Sequence, residues 1–307
     1  MSASGRSVPL QMGRSSEARS AFSGPSSKRH RGSEPHCNRA APGQDGGMSQ
    51  TVVRAFGLTD VGLVRAANED SFTLAELSKG QRWQGGKCAE WPTTDGGVLL
   101  MVSDGMGGAK AGEVASALSV EAVLGGMLRA VHDKPVDGDA LRKVIEQASE
   151  KVHEASKRAD RKGMGATLTA VLLTGTTAYV AQIGDSRAYL MRAGKIGQVT
   201  HDQSYVQMLV DAGVMTPAEA EASPRKNIIL QVMGQEAVRV VLGRISLKTG
   251  DRLLLCSDGL TNVLDDQTLN EVAKPPAELA RATQELVTRT KAGGAPDNVT
   301  VIVAEVE

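Results

Sequence analysis

Apolar and polar positions along this chain fall into two periods. Strand-like runs occur at "TVVRAFGLT", "SFTLAEL", "GVLLMVS", "ATLTAVLLTG", "TAYVAQIG", "SRAYLMRAG", "RVVLGRISL", "RLLLCSD" and "NVTVIVAEV". The run "GVLLMV" is continuously apolar and too short for a helix, so it reads as a buried strand. Helical spacing governs residues 112–131, 138–159, 204–212, 265–272 and 276–291. These helices come in pairs, one pair between strands and one near the end, while the strands otherwise follow at hairpin spacing. The pattern predicts an α+β domain of antiparallel sheets flanked by helices, not a regular βαβ alternation.

Residues 1–50 break the pattern. They are rich in Ser, Arg, Gly and Pro and nearly free of periodic apolar positions. Such a tail cannot bury enough surface to fold, and is expected to be disordered and dispensable. Its "SKRHR" reads as a solvated basic stretch, and the tail has no apolar core of a signal peptide. Met48 follows two glycines and opens the ordered-looking region, which makes it a candidate start. Residues 51–307 read as one domain.

Composition narrows the function. The 307 residues carry 35 basic and 35 acidic side chains. A neutral chain argues against a nucleic-acid binder or a membrane-surface protein. Aromatic residues are 3% of the chain, so the core must be built from Val, Leu, Ile, Ala and Met. No apolar stretch is expected to reach the roughly 18 to 20 residues that span a bilayer. Cys37, Cys88 and Cys256 are odd in number and far apart. They predict a cytoplasmic, reducing setting without a disulfide frame. Neither a CxxC nor a paired-His motif is present, so no structural zinc site is expected.

Five acidic motifs share a setting at strand ends: "NED" (68–70), "SDG" (103–105), "GDS" (184–186), "SDG" (257–259) and "PDN" (296–298). Taken singly, each is an ordinary turn signal. Lys110, in the Gly-rich stretch after Asp104, is not followed by Ser or Thr, so that stretch is no P-loop. Taken together, five carboxylates suit hard divalent cations, which prefer oxygen ligands. Two ions about 3.5–4 Å apart could share one carboxylate. The glycine after Asp104 and after Asp258 is expected to keep each turn open for metal and phosphate.

"GLVRAANEDSF", "VSDGMGGAKAGEVAS", "GMGATLTAVLL", "AQIGDSRAYLMRAG", "LLLCSDGLTN" and "GAPDNVTVIV" follow one another in the order of a known family. The chain resembles the metal-dependent (PPM, or type 2C) serine/threonine protein phosphatases in their compact bacterial form. The resemblance implies a β-sandwich of two antiparallel sheets flanked by antiparallel helix pairs. It implies two Mn²⁺ or Mg²⁺ ions, with a third, weaker metal. Asp104 would bridge two ions, with the Gly105 carbonyl on one of them. Asp258 and Asp297 would hold the second, and Asp185 with Asp258 the third. Arg65 would grip the substrate phosphate, and Glu69 and Asp70 would orient water. Asn298 would support the last ligand, and residues 200–234 would form a flap beside the site. The reaction implied is hydrolysis of phosphoserine and phosphothreonine in proteins by metal-activated water, opposing a bacterial-type Ser/Thr kinase. Phosphorylated proteins, that kinase among them, are the implied partners of a monomeric enzyme, with no nucleic acid and no membrane.

Other readings remain at this point. A phosphatase-like module could bind phosphoproteins without turnover, although every ligand position is filled. A metal-dependent nuclease would want a basic groove that neutral composition does not suggest. Two departures from the family stand out. Met106 stands where eukaryotic relatives often carry a His thought to act as general acid. Residues 78–95 form a long loop carrying Trp83 and Trp91, expected to make a satellite apolar patch. Lys110 is expected to be solvated, and Glu113 to complement the dipole of the following helix.

Overall fold

The structure, a computed structural model, describes residues 51–307; the tail, with Met48 and the basic stretch, lies outside the described residues. The first elements are β1 (Val52–Asp60), β2 (Asp70–Glu76), β3 (Gln81–Arg82), β4 (Ala89–Pro92) and β5 (Val98–Met106). Next come α1 (Ala109–Asp133), α2 (Gly138–Ser156), β6 (Gly165–Ala166), β7 (Leu168–Thr174), β8 (Thr177–Ile183), β9 (Arg187–Arg192) and β10 (Lys195–Gln198). The chain continues through α3 (Tyr205–Asp211), α4 (Pro217–Glu221), β11 (Val241–Ser246) and β12 (Arg252–Cys256). It closes with α5 (Asp258–Thr261), α6 (Asp266–Ala273), α7 (Leu279–Ala292) and β13 (Val299–Val306).

The strands form two sheets, one ordered β10-β9-β12-β13-β1-β4 and the other β11-β8-β7-β5-β2-β3, with β6 paired to β5. All pairings are antiparallel, as the sequence predicts. Three apolar layers hold the fold. Leu99 and Met101 of β5 face α1 and α2, while Val98, Leu100 and Val102 face the other sheet. In β12, Leu254 and Cys256 face α6 and α7, while Leu253 and Leu255 point between the sheets. Central strands are therefore buried on both faces. That is why their sequences read as unbroken apolar runs and not as alternation.

Several expectations are corrected. The helix expected to start at residue 112 begins at Ala109, which moves Glu113 past the first turn; no acidic residue lies in that turn. Glu113 instead faces Glu69 and helps raise its pKa. Residues 110–133 of α1 are long and apolar enough, by length and composition alone, to match a membrane span. Ala115, Val120, Val123 and Met127 of that helix are buried against the sheet and α2, the setting of a core helix. Cys256 is a free, buried thiol.

The long loop at residues 78–95 is also more ordered than expected. It supplies β3 to one sheet and β4 to the other. Trp83 packs on the apolar layer between the sheets, edge-on to Phe56 at 5.2 Å and tilted against Phe72 at 6.1 Å. Its indole N–H donates to the Lys87 carbonyl at 2.6 Å. The loop therefore closes one edge of the sandwich, and its aromatic residues extend the core.

Candidate active site

The acidic motifs converge where the ends of β2, β5, β12 and β13 meet. Asp70 stands opposite Asp104 across the β2–β5 pair. Thr167 fixes the Asp104 backbone from both sides. Its hydroxyl accepts from the Asp104 N–H at 2.9 Å, and its N–H donates to the Asp104 carbonyl at 2.8 Å. The same hydroxyl meets Ser186 Oγ at 2.7 Å, which ties the Asp104 turn to the turn carrying Asp185.

The other sheet approaches through Ser257 and Thr300. Both hydroxyls donate to Asp70 Oδ2 at 2.7 Å, and Ser257 Oγ also accepts from the Thr300 N–H at 3.0 Å. Asp258 opens the short helix α5, where Asn262 Nδ2 donates to its Oδ2 at 2.9 Å. Asn298 works through its amide. Its Oδ1 accepts from the Glu69 N–H at 2.8 Å, and its Nδ2 donates to the carbonyls of Val61 at 3.0 Å and Ala67 at 2.9 Å. It pins the loop between β1 and β2 onto the turn that presents Asp297.

The electrostatics are severe. Burial, then repulsion from Asp70, Asp258, Asp185 and Asp297, pushes the Asp104 carboxyl well above its ordinary range. Burial raises Asp70 to about 7, offset only in part by the two hydroxyls, and raises Asp185 to about 8 with help from Asp258 and Asp202. Asp258 is raised by burial and by Asp297. Glu69 is raised by burial and eased by Arg65. Asp70 Oδ1, Asp185 Oδ1 and Asp258 Oδ1 are buried without any hydrogen-bond partner. Unpaired buried carboxylate oxygens are costly unless a cation or proton meets them. This donor set of hard oxygens, three of them orphaned, fits Mg²⁺ or Mn²⁺.

Arg65 sits at the rim with its side chain half exposed, and its Nη2 donates to Asp297 Oδ2 at 2.7 Å. That ion pair engages one of the five guanidinium donors. Among the described residues no three acidic, His or Cys side chains are already gathered around one point.

The segment expected to form a flap, residues 200–234, is anchored at both ends. The Gln203 N–H donates to the Gly184 carbonyl at 3.0 Å, and Gln203 Oε1 accepts from the Gly184 N–H at 2.7 Å. At the far end, the Gly234 N–H donates to Ser149 Oγ at 3.0 Å, and His153 Nδ1 lies 2.9 Å from the Gly234 carbonyl. Between flap and carboxylates lies a cleft of about 180 Å³ lined by Asp185, Asp258, Asn262, Val206 and Val210. His201 is on the flap, 2.7 Å from Asp211 and mostly exposed.

Glu69, Asp70, Asp104, Asp185, Asp258 and Asp297 thus lie within one region where their charges repel one another, with Arg65 and Asn298 at its edge. Sequence reasoning missed Thr167, Ser186, Ser257, Thr300 and Gln203. The one available signal was polar Thr167 and Thr169 inside the apolar run "ATLTAVLLTG".

The family model described as protein phosphatase 2C matches residues 79–292. PstP, a serine/threonine protein phosphatase of Mycobacterium tuberculosis, is 38% identical over 259 residues, 83% of this chain and 45% of PstP. The chain thus spans about half the length of that relative. The serine/threonine phosphatase stp of Listeria monocytogenes is 33% identical over 259 residues, 80% of this chain and 93% of stp. The crystal structure of the PstP catalytic domain in complex with two manganese ions superposes with a TM-score of 0.68 at 36% identity, covering 83% of this chain and 99% of that one. The two-sheet sandwich expected from the sequence is the fold these proteins share. On that match across most of its described length, the chain belongs to the protein phosphatase 2C family.

Proposed function

We propose that this protein is a Mn²⁺- or Mg²⁺-dependent phosphatase acting on phosphoserine and phosphothreonine in proteins. The observation that carries the reading is the cluster of buried carboxylates with orphaned oxygens beside a rim arginine. The names of its relatives, and the two manganese ions in the PstP complex, support it. Asp104, the Gly105 carbonyl, Asp258 and Asp297 would hold two ions, and Asp185 with Asp258 a third, weaker one. When bound, the ions would supply Lewis acidity toward water and toward the phosphoryl oxygens.

The chain's own residues do the rest. Thr167 and Ser186 hold the Asp104 and Asp185 turns in a fixed relation. Asp70 and Glu69 accept hydrogen bonds from water and orient it toward phosphorus, and Asp70 is itself held by Ser257 and Thr300. Arg65, with one N–H spent on Asp297, offers its remaining donors to phosphate oxygens, a planar fork suited to that task. Met106 offers no proton, so the leaving alkoxide is protonated by water. Partners on this reading are phosphorylated proteins, a Ser/Thr kinase among them.

The test is turnover of a phosphothreonine peptide and of p-nitrophenyl phosphate with Mn²⁺ and with EDTA. Turnover of both that requires the metal is the expected result. Binding of the phosphopeptide without turnover at any Mn²⁺ concentration would leave a non-catalytic module instead.

A further inference from the structure

Among the described residues, the large apolar side chains left most exposed gather on the flap and on the loop that leads into Arg65, with Val241 apart on an edge strand. In the loop, Leu63 is 58% and Val64 71% exposed. Their exposure is built in by the backbone. The Leu63 N–H donates to the Ala295 carbonyl at 2.9 Å, and the Val61 carbonyl accepts from Asn298. The Gly62 N–H donates to Asp60 Oδ1 at 2.9 Å. Gly62 has φ +78°, and a Cβ there would meet the Asp297 carbonyl oxygen at 2.2 Å. The loop is clamped on the turn that presents Asp297, so Leu63 and Val64 cannot fold inward to bury themselves.

We propose that Leu63 and Val64 form a docking surface for the substrate chain. It selects phosphopeptides that carry a large apolar side chain one or two positions from the phosphoresidue. The inference rests on the phosphatase reading above. Two observations point to this occupant. The two side chains lie one and two residues from Arg65, roughly 3.5–7 Å along the chain, which matches the reach of a neighbouring residue in an extended peptide. The patch is continuous with the carboxylate centre through the Arg65–Asp297 pair. Covering most of a leucine or valine surface is worth about tenfold in binding.

The experiment compares wild type, the double variant Leu63→Ser/Val64→Thr, and Val241→Thr. Substrates are two phosphothreonine peptides, identical except for Leu or Ser at the flanking positions, and p-nitrophenyl phosphate, all with Mn²⁺. Wild type and Val241→Thr should favour the Leu-flanked peptide by about tenfold in kcat/KM, mainly through KM. The double variant should lose that preference while its turnover of p-nitrophenyl phosphate is unchanged. Equal use of the two peptides by wild type overturns the inference. So does a double variant that keeps the preference, including one that only disperses a dimer seen by ultracentrifugation. Absence of p-nitrophenyl phosphate turnover would bring down the phosphatase reading itself. Turnover without a flank preference brings down only this docking surface.

Discussion

Ser103-Asp104-Gly105 and Ser257-Asp258-Gly259 repeat one tripeptide in the two sheets, and the chain uses the copies differently. Asp104 is still inside β5, with its backbone consumed by Thr167 and facing Asp70. Asp258 has left β12 and opens α5, where Asn262 takes one of its oxygens. Ser103 donates to the Thr167 carbonyl of its own sheet at 2.7 Å, whereas Ser257 reaches across to Asp70 in the other sheet. What the copies share is the glycine. A Cβ on Gly105 would meet the Gly112 carbonyl oxygen at 2.0 Å, and one on Gly259 the Asn298 carbonyl oxygen at 1.9 Å. The expectation of open turns is therefore wrong for this structure. Each glycine lets another backbone segment cross directly behind the carboxylate, which fixes that carboxylate at the point where the sheets meet.

The largest effect should come from removing the charges. If both copies hold the same ions, Asp104→Asn and Asp258→Asn should each lower Mn²⁺-dependent turnover by about 10²–10³-fold or more. Neither should unfold the metal-free protein, because each neutralises a carboxylate that its neighbours repel. Wild-type turnover and Mn²⁺ affinity in Asp104→Asn would remove that residue from the site. A large loss in one variant only would mean the two copies serve different ions.

Gly105→Ala and Gly259→Ala test the shared feature. Neither position needs positive φ, so the penalty is the collision alone. Both obstacles are backbone atoms that cannot rotate away. Each variant should lose about 3 kcal/mol or more of stability, at the upper end for overpacking. Thermal melts with and without Mn²⁺ would measure it. A melting temperature within a degree or two of wild type would mean that the crossing segments can yield, and that the glycines are there for some other reason.

Much of this was legible beforehand, and the reasons are physical. Central strands buried on both faces announce themselves as apolar runs, and carboxylates at their ends stand out against them. The hydroxyls that hold those carboxylates do not. Thr167, Ser186, Ser257 and Thr300 matter only through three-dimensional partners, and Ser and Thr are too common for their positions to signal it. The short strands β3, β4 and β6 are chosen by tertiary pairing, since a few residues carry no period. Asp70 shows the limit best. Its motif marks it as acidic and close to the site, but only the fold reveals that it links both SDG copies, facing Asp104 and accepting from Ser257.

That link predicts a pH dependence. Carboxyls ordinarily near 3.8 are raised to about 7 at Asp70 and about 8 at Asp185 by burial and by their acidic neighbours. The folded protein therefore holds protons that the unfolded chain has lost. Its metal-free stability is full below the unfolded pKa and falls as pH rises through the folded values. With EDTA, the melting temperature should drop by several degrees between pH 5 and about 8. Mn²⁺ should flatten that slope. A slope of the opposite sign, or one unchanged by Mn²⁺, would place the proton uptake elsewhere.

The residue after each tripeptide sets the smallest effect. Met106 follows one copy and Leu260 the other, so neither turn delivers a proton donor. The histidines near the flap are engaged elsewhere. His153 Nδ1 is bonded at the Gly234 carbonyl, and His201 is bonded to Asp211 within the flap and exposed to solvent. A positioned general acid is worth about 10²–10⁴-fold. If water protonates the leaving alkoxide, His201→Gln should cost less than about tenfold in turnover of a phosphothreonine peptide. An aryl phosphate separates the cases further, because p-nitrophenolate leaves without a proton. A side-chain acid would make the variant slow on the peptide and normal on p-nitrophenyl phosphate. A hundredfold loss confined to the peptide, with Mn²⁺ affinity unchanged, would show that the flap swings its imidazole to the centre and supplies the proton that Met106 cannot.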